Sequence, residues 1–255
     1  MRTKSGLIAV FGALAFLFGI SPASAQTAPP LGTAQSFAVL GGSTVTNTGS
    51  SVITGDLGVS PGSAATGFPP GVVVSGTIHR ADATAAAAES DLTNAYNNIS
   101  GQACTQDLTG QDLGGKILTA GVYCFSASAQ LTGTLTLNAQ GNAGAVFIFK
   151  MGSTLTTASG SSVVMSNGGS ACNVFWQVGS SATLGTTSSF SGNILALTSI
   201  TLTTGASVTG RALARNGAVT LDTNKISSCG AVPEPASMLA FSAGLGALAL
   251  RRRRK

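Results

Sequence analysis

A repeat of 18 to 20 residues restricts the fold of this chain more than any other feature. Residues 193–210 read NILALTSITLTTGASVTG, and residues 211–228 read RALARNGAVTLDTNKISS. The preceding copy, 173–192, reads NVFWQVGSSATLGTTSSFSG. Leu184, Leu202 and Leu221 align, as do Phe190, Val208 and Ile226. Another copy starts at Ala145 and runs through Thr154, and residues 43–55 match the same template far upstream. Each copy holds three short β-prone pieces separated by Gly, Asn and Ser, which suit tight corners. Such a period predicts a β-solenoid, one coil per copy. Neighbouring coils would lie about 4.8 Å apart.

The three strand positions differ in their outward residues. The first is apolar on both sides, as in Val146 to Phe149, Val174 to Trp176 and Ile194 to Leu197. A strand buried on both faces needs a cover. Residues 81–99 supply one, with Ala81, Ala85, Ala88, Leu92, Ala95 and Ile99 at helical spacing. The expectation is a helix lying along the first face, parallel to the solenoid axis. The second position points hydroxyls outward: Thr44, Thr46, Thr154, Thr156, Thr183, Thr201, Thr203 and Thr220. These eight are the candidate site. The third position is mixed, with Ser189 and Ser191, Ser207 and Thr209, Lys225 and Ser227. Residues 101–121 break the repeat and are expected to cap one end, since solenoid ends need their strand edges protected.

Charge narrows the function. Only 8% of the 255 residues are charged, against about 25% in a typical domain. Seven of the 13 basic residues sit at the chain ends, so the formal +5 says little about the middle. Within 26–230, Arg80, Lys116, Lys150, Arg211, Arg215 and Lys225 face seven scattered acids. Phosphate binding needs a clustered basic face, so no nucleic acid is expected. Glycoside chemistry needs grouped carboxylates, and the chain has one histidine, His79. No enzyme activity, cofactor or metal is expected. The stretch 110–117 nearly spells a phosphate-binding loop, but Ile117 stands where Ser or Thr would hold magnesium. His79, Asp82 and Glu89 read as helix-start and solvated-face residues.

Both ends read as addresses. Residues 1–25 carry Arg2 and Lys4, an apolar run from Leu7 to Ile20, and Ala23-Ser24-Ala25, the pattern of a secretory signal peptide. Residues 231–255 carry Pro233-Glu234-Pro235, an apolar stretch at 236–250, and Arg251 to Lys255. Fifteen helical residues reach about 22 Å, slightly short of a bilayer core. This end resembles the PEP-CTERM sorting tail of Gram-negative bacteria. The resemblance implies recognition by an exosortase-type machinery at the inner membrane, then release or surface attachment. In an exported chain, Cys104, Cys124, Cys172 and Cys229 favour disulfides. Cys104 with Cys124 closes a short loop, and Cys172 with Cys229 follows by elimination.

Further motifs carry a second resemblance. Leu31 to Gly41, Gly55 to Gly62, Leu118 to Tyr123, Phe175 to Gly185 and Gly210 to Ala214 resemble the bacterial and fungal ice-binding proteins with a discontinuous β-solenoid. The resemblance spans about residues 31–229. It implies a right-handed, triangular, mainly β solenoid with one long helix alongside, in which an N-terminal fragment completes the stack out of order. It also implies adsorption to ice on one flat face, by a monomer outside the cell. The alternative is a non-catalytic structural or adhesive component of the cell surface or matrix.

Overall fold

The computed structural model describes residues 26–229, so the signal and tail expectations lie outside the described residues. The chain folds as the β-solenoid that the repeat predicts, with the right-handed, discontinuous, triangular form that the family resemblance implies. Each coil visits three faces, here called a, b and c. Face b is a seven-stranded parallel sheet. Its strands run Ala129–Leu131, Leu155–Thr157, Ala182–Leu184, Ile200–Leu202, Val219–Asp222, Thr44–Thr48 and Ala64–Thr66. Faces a and c join into one 15-stranded sheet, because strands Ser189–Ala196 and Ser207–Ala214 each bend from c to a. Gly192 (φ 120°) and Gly210 (φ 141°) make those bends. A Cβ on Gly210 would lie 2.0 Å from the Gly192 carbonyl oxygen, so only glycine stacks there.

Stacking order departs from chain order at one place. The last coil pairs with the first: Val219 with Val45, Ile226 with Ile53, and Ala212 with Val39. Residues 37–80 therefore build one end of the stack. The chain must then return to the other end, where Gln106–Asp107 begins. Eight strand spacings on face a amount to about 38 Å. The helix Ala83–Ser100 makes most of that return, at about 27 Å.

The helix lies along face a, and its Ala85, Ala88, Leu92, Ala95 and Ile99 are fully buried. Ala88, Leu92, Ala95 and Ile99 pack on Phe37, Leu40, Val122, Ile148, Phe175, Leu195 and Leu213. The helix begins two residues later than the spacing suggested. Ala81 takes a left-handed conformation (φ 49°), and the Asp82 carboxylate accepts the Ala85 N–H at 2.8 Å. That cap fixes the start. His79 Nδ1 sits 2.7 Å from the other Asp82 oxygen, and its ring packs tilted against Phe37, centroids 5.4 Å apart.

Glu89 corrects the expectation of a solvated helix face. It is packed beside Arg215, whose Nε donates to Thr93 Oγ1 and whose guanidinium covers the Tyr96 ring. Burial pushes its carboxyl up to about 8, against the pull of Arg215. Its Oε1 has no hydrogen-bond partner.

Residues 101–121 lie at the end of the stack where a cap was expected, and they follow the same three-sided path. Gln106–Asp107 pairs on face a, Asp112 bridges to Gln130 on face b, and Ile117–Leu118 pairs on face c. The near-phosphate motif is thus part of a terminal coil, with Gly110 and Gly115 in left-handed turns. Cys104–Cys124 ties this coil to the next, and Cys172–Cys229 ties the chain's final described residue to the c-to-a edge.

Candidate functional site

Face b owes its shape to strict alternation in short strands. Val45, Leu155, Ala182, Leu184, Ile200, Leu202, Val219 and Leu221 point inward and are buried. The intervening residues point out. Cross-strand register places Gln130, Thr156, Thr183, Thr201, Thr220, Thr46 and Thr66 in one continuous column. At about 4.8 Å per strand the column runs about 29 Å. Each threonine presents a methyl and a hydroxyl. Where neighbours meet, the hydroxyls are loosely spaced, as between Thr46 and Thr220 at 3.5 Å.

Five of the eight sequence candidates, Thr46, Thr156, Thr183, Thr201 and Thr220, thus stand in the central column. Thr44 and Thr154 stand one outward position earlier, toward the a-to-b edge. Thr44 pairs with Ala64, and the Thr154 hydroxyl donates to Ser128 Oγ at 2.8 Å. Thr203 lies at the opposite edge, and its hydroxyl donates to the Leu184 carbonyl at 2.8 Å. It serves the corner, where its Oγ1 also lies 3.3 Å from Thr186 Oγ1.

Sequence reasoning missed both ends of the column. Thr66 follows Thr46 by 20 residues and pairs with it. The repeat period itself could have revealed it. Gln130 pairs with Thr156, but a glutamine inside a threonine series offers no such signal. Ser181 and Ser199 were also unread. Their hydroxyls accept the Ser199 and Ala218 N–H groups, so they close the a-to-b turns.

The other faces differ in kind. Face a is covered by the helix. Face c carries Lys225 in register with Ser207, and exposed apolar residues at Ile117 (70% exposed), Val72 (47%) and Val164 (44%). The central column of face b carries no charged side chain. Two acids flank it: Asp222 at the b-to-c corner accepts from Thr204 Oγ1, and Asp112, paired with Gln130 in the terminal coil, accepts the Gly114 and Thr132 N–H groups. Among the described residues, no cluster of three or more His, Cys, Asp or Glu could hold a metal. From Thr156 to Thr66, face b offers a rigid, neutral grid of methyls and hydroxyls.

Comparison with known proteins gives the family and the fold. The family model described as "Ice-binding-like" matches residues 39–227, and the "PEP-CTERM protein-sorting motif" matches residues 231–254. A protein named "Ice-binding protein" from Nostoc sp. (strain HG1) is 56% identical over 240 residues, covering 91% of this chain and 88% of that one. Among solved structures, an ice binding protein from an Antarctic biological consortium superposes with a TM-score of 0.78. It shares 47% identity, over 81% of this chain and 93% of the other. The ice-binding protein of the ascomycete Antarctomyces psychrotrophicus also gives 0.78, at 41% identity, over 80% of this chain and all of the other.

Proposed function

The chain belongs to the ice-binding-like family, and from that premise we propose that it adsorbs to ice through face b and restrains ice growth or recrystallisation. The observation that carries this reading is the uncharged column from Gln130 through Thr201 to Thr66. A charged group would hold its own hydration shell against the ice lattice. Hydroxyls and methyls at fixed spacing can instead order water into an ice-like layer without that competition. Single contacts are weak, near 0.1–0.2 kcal/mol per atom pair, so adsorption needs many at once. A flat sheet held by the solenoid core makes them together, with little ordering entropy left to lose.

No step of this function transfers a proton, electron or group, so the reading is non-catalytic and needs no cofactor. It is also met by a monomer. The working domain is 26–230, between a signal peptide at 1–25 and a sorting tail at 231–255. The matching sorting motif supports export to the cell exterior or surface. On our reading the route crosses a Gram-negative inner membrane, where an exosortase-type machinery acts on the tail. Among the described residues no helix is long and apolar enough to cross a membrane. The apolar stretch 236–250 lies outside them.

The test is microscopy of ice crystals grown with the purified 26–230 segment. Faceted crystals or halted growth are expected. Round discs growing unimpeded at high protein concentration would reject the proposal in favour of a matrix component.

A further inference from the structure

Building on the reading that face b meets ice, we propose that the chain works as a cell-to-ice tether, attached through its C-terminal side so that face b points directly away from the cell. In a triangular section each face lies opposite one edge, and face b lies opposite the c-to-a edge. The described chain ends at that edge. Lys225–Ser227 is the last strand of face c, and Cys229 follows it immediately.

The exit point is fixed, not trailing. Cys229 is bonded to Cys172, which lies at the same edge just before the face a strand Val174–Val178. The Arg211 guanidinium donates from Nη2 to the Cys229 carbonyl at 3.0 Å. The same group donates to the Gln35 carbonyl at 2.6 Å and to Asn193 Oδ1 at 2.8 Å. Arg211 is only 2% exposed, and it meets backbone carbonyls and an amide in place of a carboxylate. It therefore binds the N-terminal segment, the last coil and the chain exit into one body. Its buried charge gains by gathering carbonyl oxygens.

Among the described residues, the parts outside the coils lie on the same side. Residues 26–36 run along the helix, with Gln102 bonded to Thr27 and the Asp91 carboxylate accepting the Thr33 N–H. Among the described residues, face b is left free of the helix, the disulfides and the segment 26–36. From Cys229 to Glu234 the backbone spans at most about 18 Å. A surface joined at the Pro-Glu-Pro motif thus stays near the c-to-a edge and cannot reach around to cover face b.

The experiment uses the full chain, displayed by a Gram-negative host that carries tail-sorting machinery. Washed cells are counted on a growing ice surface, and protein extracted from the same cells is assayed for ice shaping. Retention on ice is expected with the wild-type chain. With Thr201→Tyr it should fall to the level of cells lacking the protein, and Thr209→Tyr on face c should leave it unchanged. Surface-exposed protein that shapes ice after extraction, on cells that do not stick, overturns the tether while sparing the ice reading. Chain found only in the medium overturns it as well. Extracts that never shape ice defeat the ice reading itself, and the tether with it.

Discussion

Gly210 shows how one residue sets the corner of a coil. Its φ of 141° and the 2.0 Å approach of a Cβ to the Gly192 oxygen leave no room for alanine. Gly210→Ala should cost at least about 2 kcal/mol in thermal unfolding. Gly133→Ala shares a positive φ but meets open space, so its cost should stay near 1 kcal/mol. Glu89 gives a pH signature. Its folded carboxyl sits at about 8, above an unfolded value of about 4.3. Between those values the folded state binds more protons than the unfolded one, so this group lowers stability as pH rises through that window. Glu89→Gln should therefore match wild type in urea midpoint near pH 4 and exceed it near pH 9. Equal midpoints at both would show that the carboxyl is solvated. Neither feature was legible beforehand. A glycine in a glycine-rich repeat looks like any other, and Glu89 sits where helical spacing alone predicts solvent.

Among the elements, the helix and face b were the most legible, because period 3.6 and period 2 each leave a plain mark on apolar positions. The helix tests its own placement. Leu92 is fully buried against face a. Leu92→Asp should destabilise the domain by more than about 3 kcal/mol, since it loses a buried leucine and adds an unpaired charge. Asn94→Asp, on the exposed side of the same turn, should stay within about 0.5 kcal/mol. Denaturant unfolding of the two variants checks this. The cap was legible only in part. Residues 101–121 break the apolar repeat, yet backbone pairing carries them through all three faces. Sequence spacing records side chains, whereas a short terminal strand is held mainly by its backbone. Within face b the central threonines were readable from the repeat, but the role of Thr203 was not. Its hydroxyl turns to the Leu184 carbonyl through a corner geometry that no spacing encodes.

For the whole molecule, the discontinuous stack makes the last coil a keystone, since residues 37–80 dock on it rather than on their chain neighbours. Cys172–Cys229 holds that coil across a sequence separation of 57. Replacing both cysteines by serine should remove about 4 kcal/mol on the chain-entropy account. The fall should appear as a lower melting temperature, with hydrogen exchange rising in 37–80 as well as in 211–228. Exchange confined to the C-terminal coil would show that the N-terminal coils stand without it. Face b itself should survive at 0 °C, where ice is met.

The central claim is that face b, and not face c, meets ice. The most direct measurement is partitioning of labelled protein into a slowly growing ice hemisphere, for wild type, Thr201→Tyr and Thr209→Tyr side by side. Thr201 stands mid-column on face b, so a protruding ring there should hold its neighbours off a rigid lattice and lose their contacts together. Thr209 is equally outward on face c. The account predicts that Thr201→Tyr is excluded from ice with its melting temperature unchanged, and that Thr209→Tyr partitions like wild type. Wild-type partitioning by Thr201→Tyr, together with exclusion of Thr209→Tyr, would contradict it.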